Sequence, residues 1–186
     1  MNLKDIEKIV KGTLSDKRFY HSVCVMNKCA ELAKKYNIDI ETAKKVGLAH
    51  DIAKEMTTEE KLAYISANNI KVEDVEVNNP GLLHAIIGAD IVKKQFGFSE
   101  EMCNAIKYHS TAKEDMTLLE KIVYISDWCG DDRTFEEAKN IRNILVESDI
   151  DSAILYSFDV IIKEQLENRT EIHLNTIKAR NFLLRR

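Results

Sequence analysis

The stretch G-L-A-H-D-I-A-K, residues 47–54, runs from small apolar residues through His50 and Asp51 and back to apolar ones. Helical spacing predicts a helix over about Ile40 to Lys54, capped by Asp39, with Ala43, Val46, Gly47, His50 and Ala53 on one side. An imidazole and its neighbouring carboxylate therefore stand where the pattern puts core.

The same three-and-four recurrence of apolar residues extends through the chain, and alternating β-branched runs are missing, so the expected fold class is all-α, a helical bundle. A first helix is expected over about Leu3 to Leu14. Ser15 and Asp16 cap a second, reaching Tyr36, with Phe19, Val23, Met26, Ala30 and Ala33 as its stripe. Thr57 and Thr58 start another that ends near Asn68-Asn69. Asn78-Asn79-Pro80-Gly81 precedes a helix from about Leu82 to Phe96, stopped by Gly97. Ser99 begins a helix to about His109, Thr117 one to about Cys129, and Asp149 and Ile172 head two final helices. The acid-rich Val72 to Glu76 reads as a solvated loop, and Trp128 and Tyr124 read as core.

Composition narrows the function classes. With 186 residues the chain is expected to form one domain, and 45% hydrophobic and 31% charged residues with a single Pro are those of a soluble globular protein. A net charge of -4 argues against nucleic acid as a partner, since the only basic cluster is Arg180, Arg185 and Arg186. No apolar run approaches the roughly 20 residues of a membrane span. The four cysteines form no C-x-x-C pair and no charged-then-apolar leader opens the chain, so reduced thiols in a cytoplasmic setting are expected.

His50 is not alone in its placement. His84 shares a face with Ile87 and Ile91, His109 with Met102 and Ile106, Asp127 follows Val123 by one turn, and His21 lies at the margin of its helix's stripe. A single histidine on an apolar face is most often held by a backbone carbonyl. Four of them with Asp51 and Asp127 are different, because two buried carboxylates without cations would each cost several kcal/mol. A metal ion resolves this, and the N and O donor set suits iron, manganese, zinc or another borderline divalent metal. Lys54, one turn after His50, and Arg18, one turn before His21, are placed to hold phosphate beside it.

The order His21, His50-Asp51, His84, His109, Asp127 resembles that of the HD-domain phosphohydrolases. R-F-Y-H-S-V (18–23), L-A-H-D-I-A-K (48–54), L-L-H-A-I-I-G-A (82–89), A-I-K-Y-H-S-T (105–111), L-L-E-K-I-V-Y-I-S-D (118–127) and I-H-L-N-T-I-K-A-R-N (172–181) are together similar to the bacterial YqeK family. The resemblance implies a single HD domain over 1–186, with a metal-binding core at about 18–130 and C-terminal helices at 134–186 completing a nucleotide pocket. It implies symmetrical hydrolysis of diadenosine tetraphosphate to two ADP by metal-activated hydroxide attack on an inner phosphate, with one or two iron ions. His21, His50, Asp51 and Asp127 match the metal ligands, and His84 and His109 match either a second metal site or phosphate contacts. Asp51 and Lys54 would be catalytic, and Arg18, Lys54, Arg133, Thr170, His173 and Asn175 match substrate-binding positions. The partners implied are a dinucleotide and its ADP product, with a homodimer compatible. Two segments depart from the family pattern: Ser110-Thr111-Ala112 replaces a T-G-like pair, and W-C-G-D-D-R replaces an E-P-x-R run, so that Asp131 and Asp132 add negative charge near a phosphate site. Rival readings are an HD-type phosphomonoesterase or phosphodiesterase and a non-catalytic nucleotide or metal binder.

Overall fold

The computed structural model describes residues 1–186 and contains eleven helices and no strand. They are α1 (Leu3–Thr13), α2 (Asp16–Lys35), α3 (Ile40–Ala49), α4 (Thr58–Ala67), α5 (Asp74–Asn78), α6 (Leu83–Phe96), α7 (Glu100–Lys107), α8 (Leu118–Cys129), α9 (Glu136–Glu147), α10 (Ile150–Asn168) and α11 (Leu174–Leu183). Ser15, Asp39, Thr57, Ser99, Thr117 and Asp149 each cap a helix by accepting a backbone N–H in its first turn, which fixes six starts at the positions their side chains predict. Gly97 ends α6 at φ 68°, the left-handed conformation that glycine adopts without penalty.

α8 is buried on nearly every side, through Leu119, Ile122, Val123, Tyr124 and Ile125, and packs against α2, α3, α7, α9 and α10. A helix apolar all round belongs at the centre of a bundle. α2 and α3 approach each other so closely that a Cβ on Gly47 would lie 2.8 Å from Cys29 Sγ and 3.0 Å from Met26 Cα. The glycine in G-L-A-H-D is thus what lets the end of α3 lie against α2. A smaller apolar cluster of Ala53, Ile65, Leu83 and Ile87 ties α4 to α6 beneath the turn that follows α3.

Four local expectations need correction. The helix expected to Lys54 ends at Ala49, and His50 to Met56 form tight turns, with Ile52 N–H donating to Ala49 O and Lys54 N–H to Asp51 O. The His50 ring takes the Gly47 carbonyl that an extended helix would use, so helix continuation and ring placement compete. Val72 to Glu76 is not a solvated loop: α5 forms there and Glu76 is buried against His173. A separate helix, α9, lies between Cys129 and Asp149, its Ala138, Ile141 and Leu145 facing the core. The last helix begins at Leu174, capped by His173, two residues beyond the expected Ile172.

Candidate metal centre

The ends of α2, α3, α6, α7 and α8 converge so that His21, His50, Asp51, His84, His109 and Asp127 face one another. Four of them, His50, Asp51, His84 and His109, are no more than 2% exposed. Asp51 is the hub. Its Oδ2 lies 2.9 Å from Arg18 Nη1, 3.4 Å from His50 Nε2 and 3.8 Å from His21 Nε2, while its Oδ1 lies 3.1 Å from His84 Nε2 and 3.6 Å from His109 Nε2. Asp127 Oδ1 stands 3.0 Å from His21 Nε2 and 2.7 Å from Arg133 Nη2.

The histidine tautomers follow from local geometry. His50, His84 and His109 each place Nδ1 against the carbonyl three residues earlier, at 2.8 Å (Gly47), 2.5 Å (Gly81) and 2.7 Å (Ile106). A carbonyl only accepts, so Nδ1 carries the proton in each ring and Nε2 turns a lone pair inward. His84 Nε2 and His109 Nε2 then face each other at 3.0 Å, and His50 Nε2 and Asp51 Oδ1 are buried with no hydrogen-bond partner. The two carboxylates are not without cations, contrary to expectation, since Arg18 pairs with Asp51 and Arg133 with Asp127. What asks for a further cation is the convergence of imidazole lone pairs, with His50 Nε2 unpartnered, Lys54 at 3.3 Å from His84 Nε2 and Ser110 at 3.2 Å from His109 Nε2. The residues present therefore fit a divalent metal. Two overlapping sets, His21-His50-Asp127 and His50-Asp51-His109, could each hold an ion.

Burial opposes ionisation of Asp51, and the surrounding His50, His109 and His84 outweigh it and hold its carboxyl well below the usual range. Asp127 is likewise held low, against burial, by His21 and His50. His84 is pushed down to about 4, chiefly by burial, with Asp51 opposing and His109 and Lys54 adding to the shift. All three shifts make the metal-free fold sensitive to acid. The unfolded chain protonates His84 near its ordinary 6.5 and the folded one only near 4, so the unfolded state holds more protons between these values and stability falls as pH drops through that window. The depressed carboxylates lose their contribution at still lower pH. The unfolding free energy of metal-free protein, read from denaturant titrations, is expected to fall between pH 6.5 and 4 by up to about 3 kcal/mol from His84, at about 1.4 kcal/mol per unit. His84→Gln flattens that slope if the account is right; an unchanged slope contradicts it.

Asp132, expected as stray negative charge, accepts from His21 Nδ1 at 2.7 Å, so His21 is the one ligand candidate held by a carboxylate instead of a carbonyl. Gly130 leaves the room: a Cβ there would lie 2.9 Å from Asp132 Oδ1. Arg142 of α9 fastens this loop through the carbonyls of Cys129, Gly130 and Arg133. Glu55 accepts from both Ser15 N–H and Ser15 Oγ at 2.6 Å, tying the start of α2, with its Arg18, to the turn that carries Lys54. Neither Glu55 nor Arg142 belongs to a motif, and only their long-range partners reveal them.

Lys54 Nζ lies 3.3 Å from His84 Nε2, and Lys54 and Arg133 line the same cavity, about 380 Å³, as His84, His109 and Asp127. His173 reaches a side cavity of about 90 Å³ beside Ser110, Gln165 and Thr176, with Nδ1 accepting from Asn175 N–H. Thr170 and Asn175 are not brought to the centre. Thr170 is exposed and bonds Gln165, and Asn175 lines a separate recess with Glu73, Glu76 and Lys107. Trp128 is half-buried, packed against the core and also lining a cavity, whereas Tyr124 is buried against Ser157 and Phe158.

Comparison with known proteins agrees with this geometry. The HD domain model matches residues 18–130. The symmetrical bis(5'-nucleosyl)-tetraphosphatases of Bacillus subtilis and Halalkalibacterium halodurans are each 30% identical over 185 residues, covering 99% of this chain and 98% of theirs. A crystal structure from Clostridium acetobutylicum, described as a predicted HD superfamily hydrolase involved in NAD metabolism, superposes with a TM-score of 0.94 at 35% identity, covering 100% of this chain and 98% of that one. A buried imidazole–carboxylate cluster at helix ends, matched along the full chain by these relatives, means that the protein belongs to the HD-domain family and groups there with the symmetrical bis(5'-nucleosyl)-tetraphosphatases.

Proposed function

We propose that the protein hydrolyses diadenosine tetraphosphate symmetrically to two ADP, with iron as its metal. The observation that carries this reading is the pairing, in one cavity, of inward-facing imidazole lone pairs with the phosphate-binding cations Lys54 and Arg133. His21, His50, Asp51 and Asp127 would hold the ion, and His84 and His109 a second one or the phosphates. When bound, the metal supplies Lewis-acid polarisation of a phosphate oxygen and lowers the pKa of water.

The chain's own residues do the rest. Lys54 and Arg133 grip the inner phosphates, and Arg18, 2.9 Å from Asp51, lies at the rim where a phosphate oxygen can share its guanidinium. Asp51 presents carboxylate oxygens to both sides of the cluster, so one can hold an ion while the other orients the attacking water. The water oxygen bonds to one inner phosphorus and gives up a proton to the Asp51 carboxylate. The bond from that phosphorus to the bridging oxygen breaks, and the bridging oxygen leaves as the terminal oxygen of the second ADP, whose phosphate can then take that proton. Charge that builds on these oxygens is met by Lys54 and Arg133 at fixed positions, which is how such sites lower the barrier.

α10 and α11 wall the cavities beside Ser110 and Trp128, so residues 134–186 complete the nucleotide pocket and the chain works as one domain. No helix is long and apolar enough to cross a membrane, and the four cysteines are free and buried, which suits a reducing cytoplasm. Incubation with diadenosine tetraphosphate and, separately, with AMP, followed by chromatography, tests the reading. ADP as sole early product supports it. AMP with ATP from the dinucleotide, or adenosine from AMP, points to a phosphodiesterase or phosphomonoesterase instead.

A further inference from the structure

A symmetrical dinucleotide cut at its middle has a nucleoside on each side of the reacting phosphates, and three recesses share wall residues with the central cavity. One neighbour shares Asn79, Leu82 and Ser110 with it and reaches His173. A second, about 680 Å³, shares Trp128 and Phe135 with it and is lined by Tyr156 and Val160 of α10. That volume lies within the about 300–1,000 Å³ of small-molecule sites. Resting on the tetraphosphatase reading above, we propose that this second neighbour is the subsite of one nucleoside, with its purine stacked on the Trp128 and Phe135 wall.

Three observations converge on it. Trp128 follows Asp127 directly and lines both cavities, so a base beside it adjoins the cavity that holds the reacting phosphates. Phe135, just ahead of α9, is 41% exposed and faces the cavity, an apolar ring with little core to serve. The charge of the walls sorts the two ends of the ligand. Of the cavity's carboxylates, Asp159 is paired with Arg180 and Glu167 with Lys163, while Glu137 and Glu164 have no ion-pair partner. Such walls repel phosphate and accept hydrogen bonds from a purine amino group, whereas Lys54 and Arg133 hold the phosphates in the central cavity. The third recess, about 490 Å³, shares Arg133 with the central cavity and is lined by Lys17 and Arg18 beside Glu55 and Asp132; with Tyr20 as its only apolar ring it offers no aromatic pair to hold a base.

Trp128 is the only tryptophan, so its emission reads the subsite directly. A diadenosine tetraphosphate analogue with a methylene between the inner phosphates should quench it, and inorganic tripolyphosphate should not. Base–aromatic stacking is worth roughly tenfold in binding, so Phe135→Ala and Trp128→Ala should each lower kcat/KM for the dinucleotide, relative to adenosine 5'-tetraphosphate, by about tenfold, mainly through KM. Tyr20→Ala should not change that ratio. Unchanged emission at saturating analogue, an unchanged ratio in Phe135→Ala, or a fall confined to Tyr20→Ala would overturn the proposal while normal ADP release left the proposed activity standing. Quenching by ADP and not by tripolyphosphate, in a protein that releases no ADP from the dinucleotide, would keep the subsite and sink the activity.

Discussion

Asp51→Ala is expected to abolish turnover and metal binding together. Asp51 is the one residue whose two oxygens face both halves of the cluster, at 3.4 Å from His50 and 3.1 Å from His84, and it is 1% exposed. Removing it leaves four imidazoles with one carboxylate, Asp127, to offset the charge of an ion. Metal at such a site contributes several kcal/mol of charge stabilisation in the transition state, and each 1.36 kcal/mol is tenfold in rate, so a fall of about 10³-fold or more should follow. The thermal stabilisation that added metal gives the unaltered protein should vanish as well, because that gain exists only while the folded state binds the ion. Steady-state kinetics with metal titration checks both. Retained turnover after the metal is lost would sink the account.

Asp132→Ala is expected to weaken metal binding by about 10–100-fold, the usual cost of losing the partner that orients a ligating histidine. His50, His84 and His109 are held by carbonyls of their own turns, whereas His21 is held by a side chain 111 residues away. A carboxylate on Nδ1 fixes the tautomer and makes Nε2 a better donor to an ion. Asp132→Asn keeps an acceptor without the charge and should recover part of the loss. Calorimetric titration of metal-free protein gives the affinities, and the metal-free unfolding midpoint should move much less than the metal-loaded one. Full affinity in Asp132→Ala would show that His21 needs no such partner.

Much of this site is legible in the sequence because its residues sit on helical stripes. His84 with Ile87, and Asp127 with Val123, are placed by spacing alone, since one turn of helix puts each on the face its neighbours bury. His50 lies one residue past the end of α3 and is nonetheless buried, as the helical spacing predicts. It keeps an αR backbone as the C-cap of α3, which holds its ring against the Gly47 carbonyl of the last turn. What spacing cannot show is contact across the chain. Asp132 reads as excess charge until His21 is seen beside it. Glu76 reads as solvated until its partner His173, 97 residues later, is found. Trp128 reads as core because aromatic residues most often are, and only the packing of α9 and α10 turns its ring into a wall of two cavities. Asn175 lies within a motif and Thr170 two residues ahead of it, yet Thr170 bonds Gln165 and Asn175 lines a separate recess.

The most direct test of the central claim, that the imidazole–carboxylate cluster holds a catalytic metal, is elemental analysis of active protein purified without chelator. The account predicts about one to two ions of a divalent metal per chain, iron foremost, falling to background in Asp51→Ala. Protein that contains no metal and still releases ADP from diadenosine tetraphosphate would contradict it.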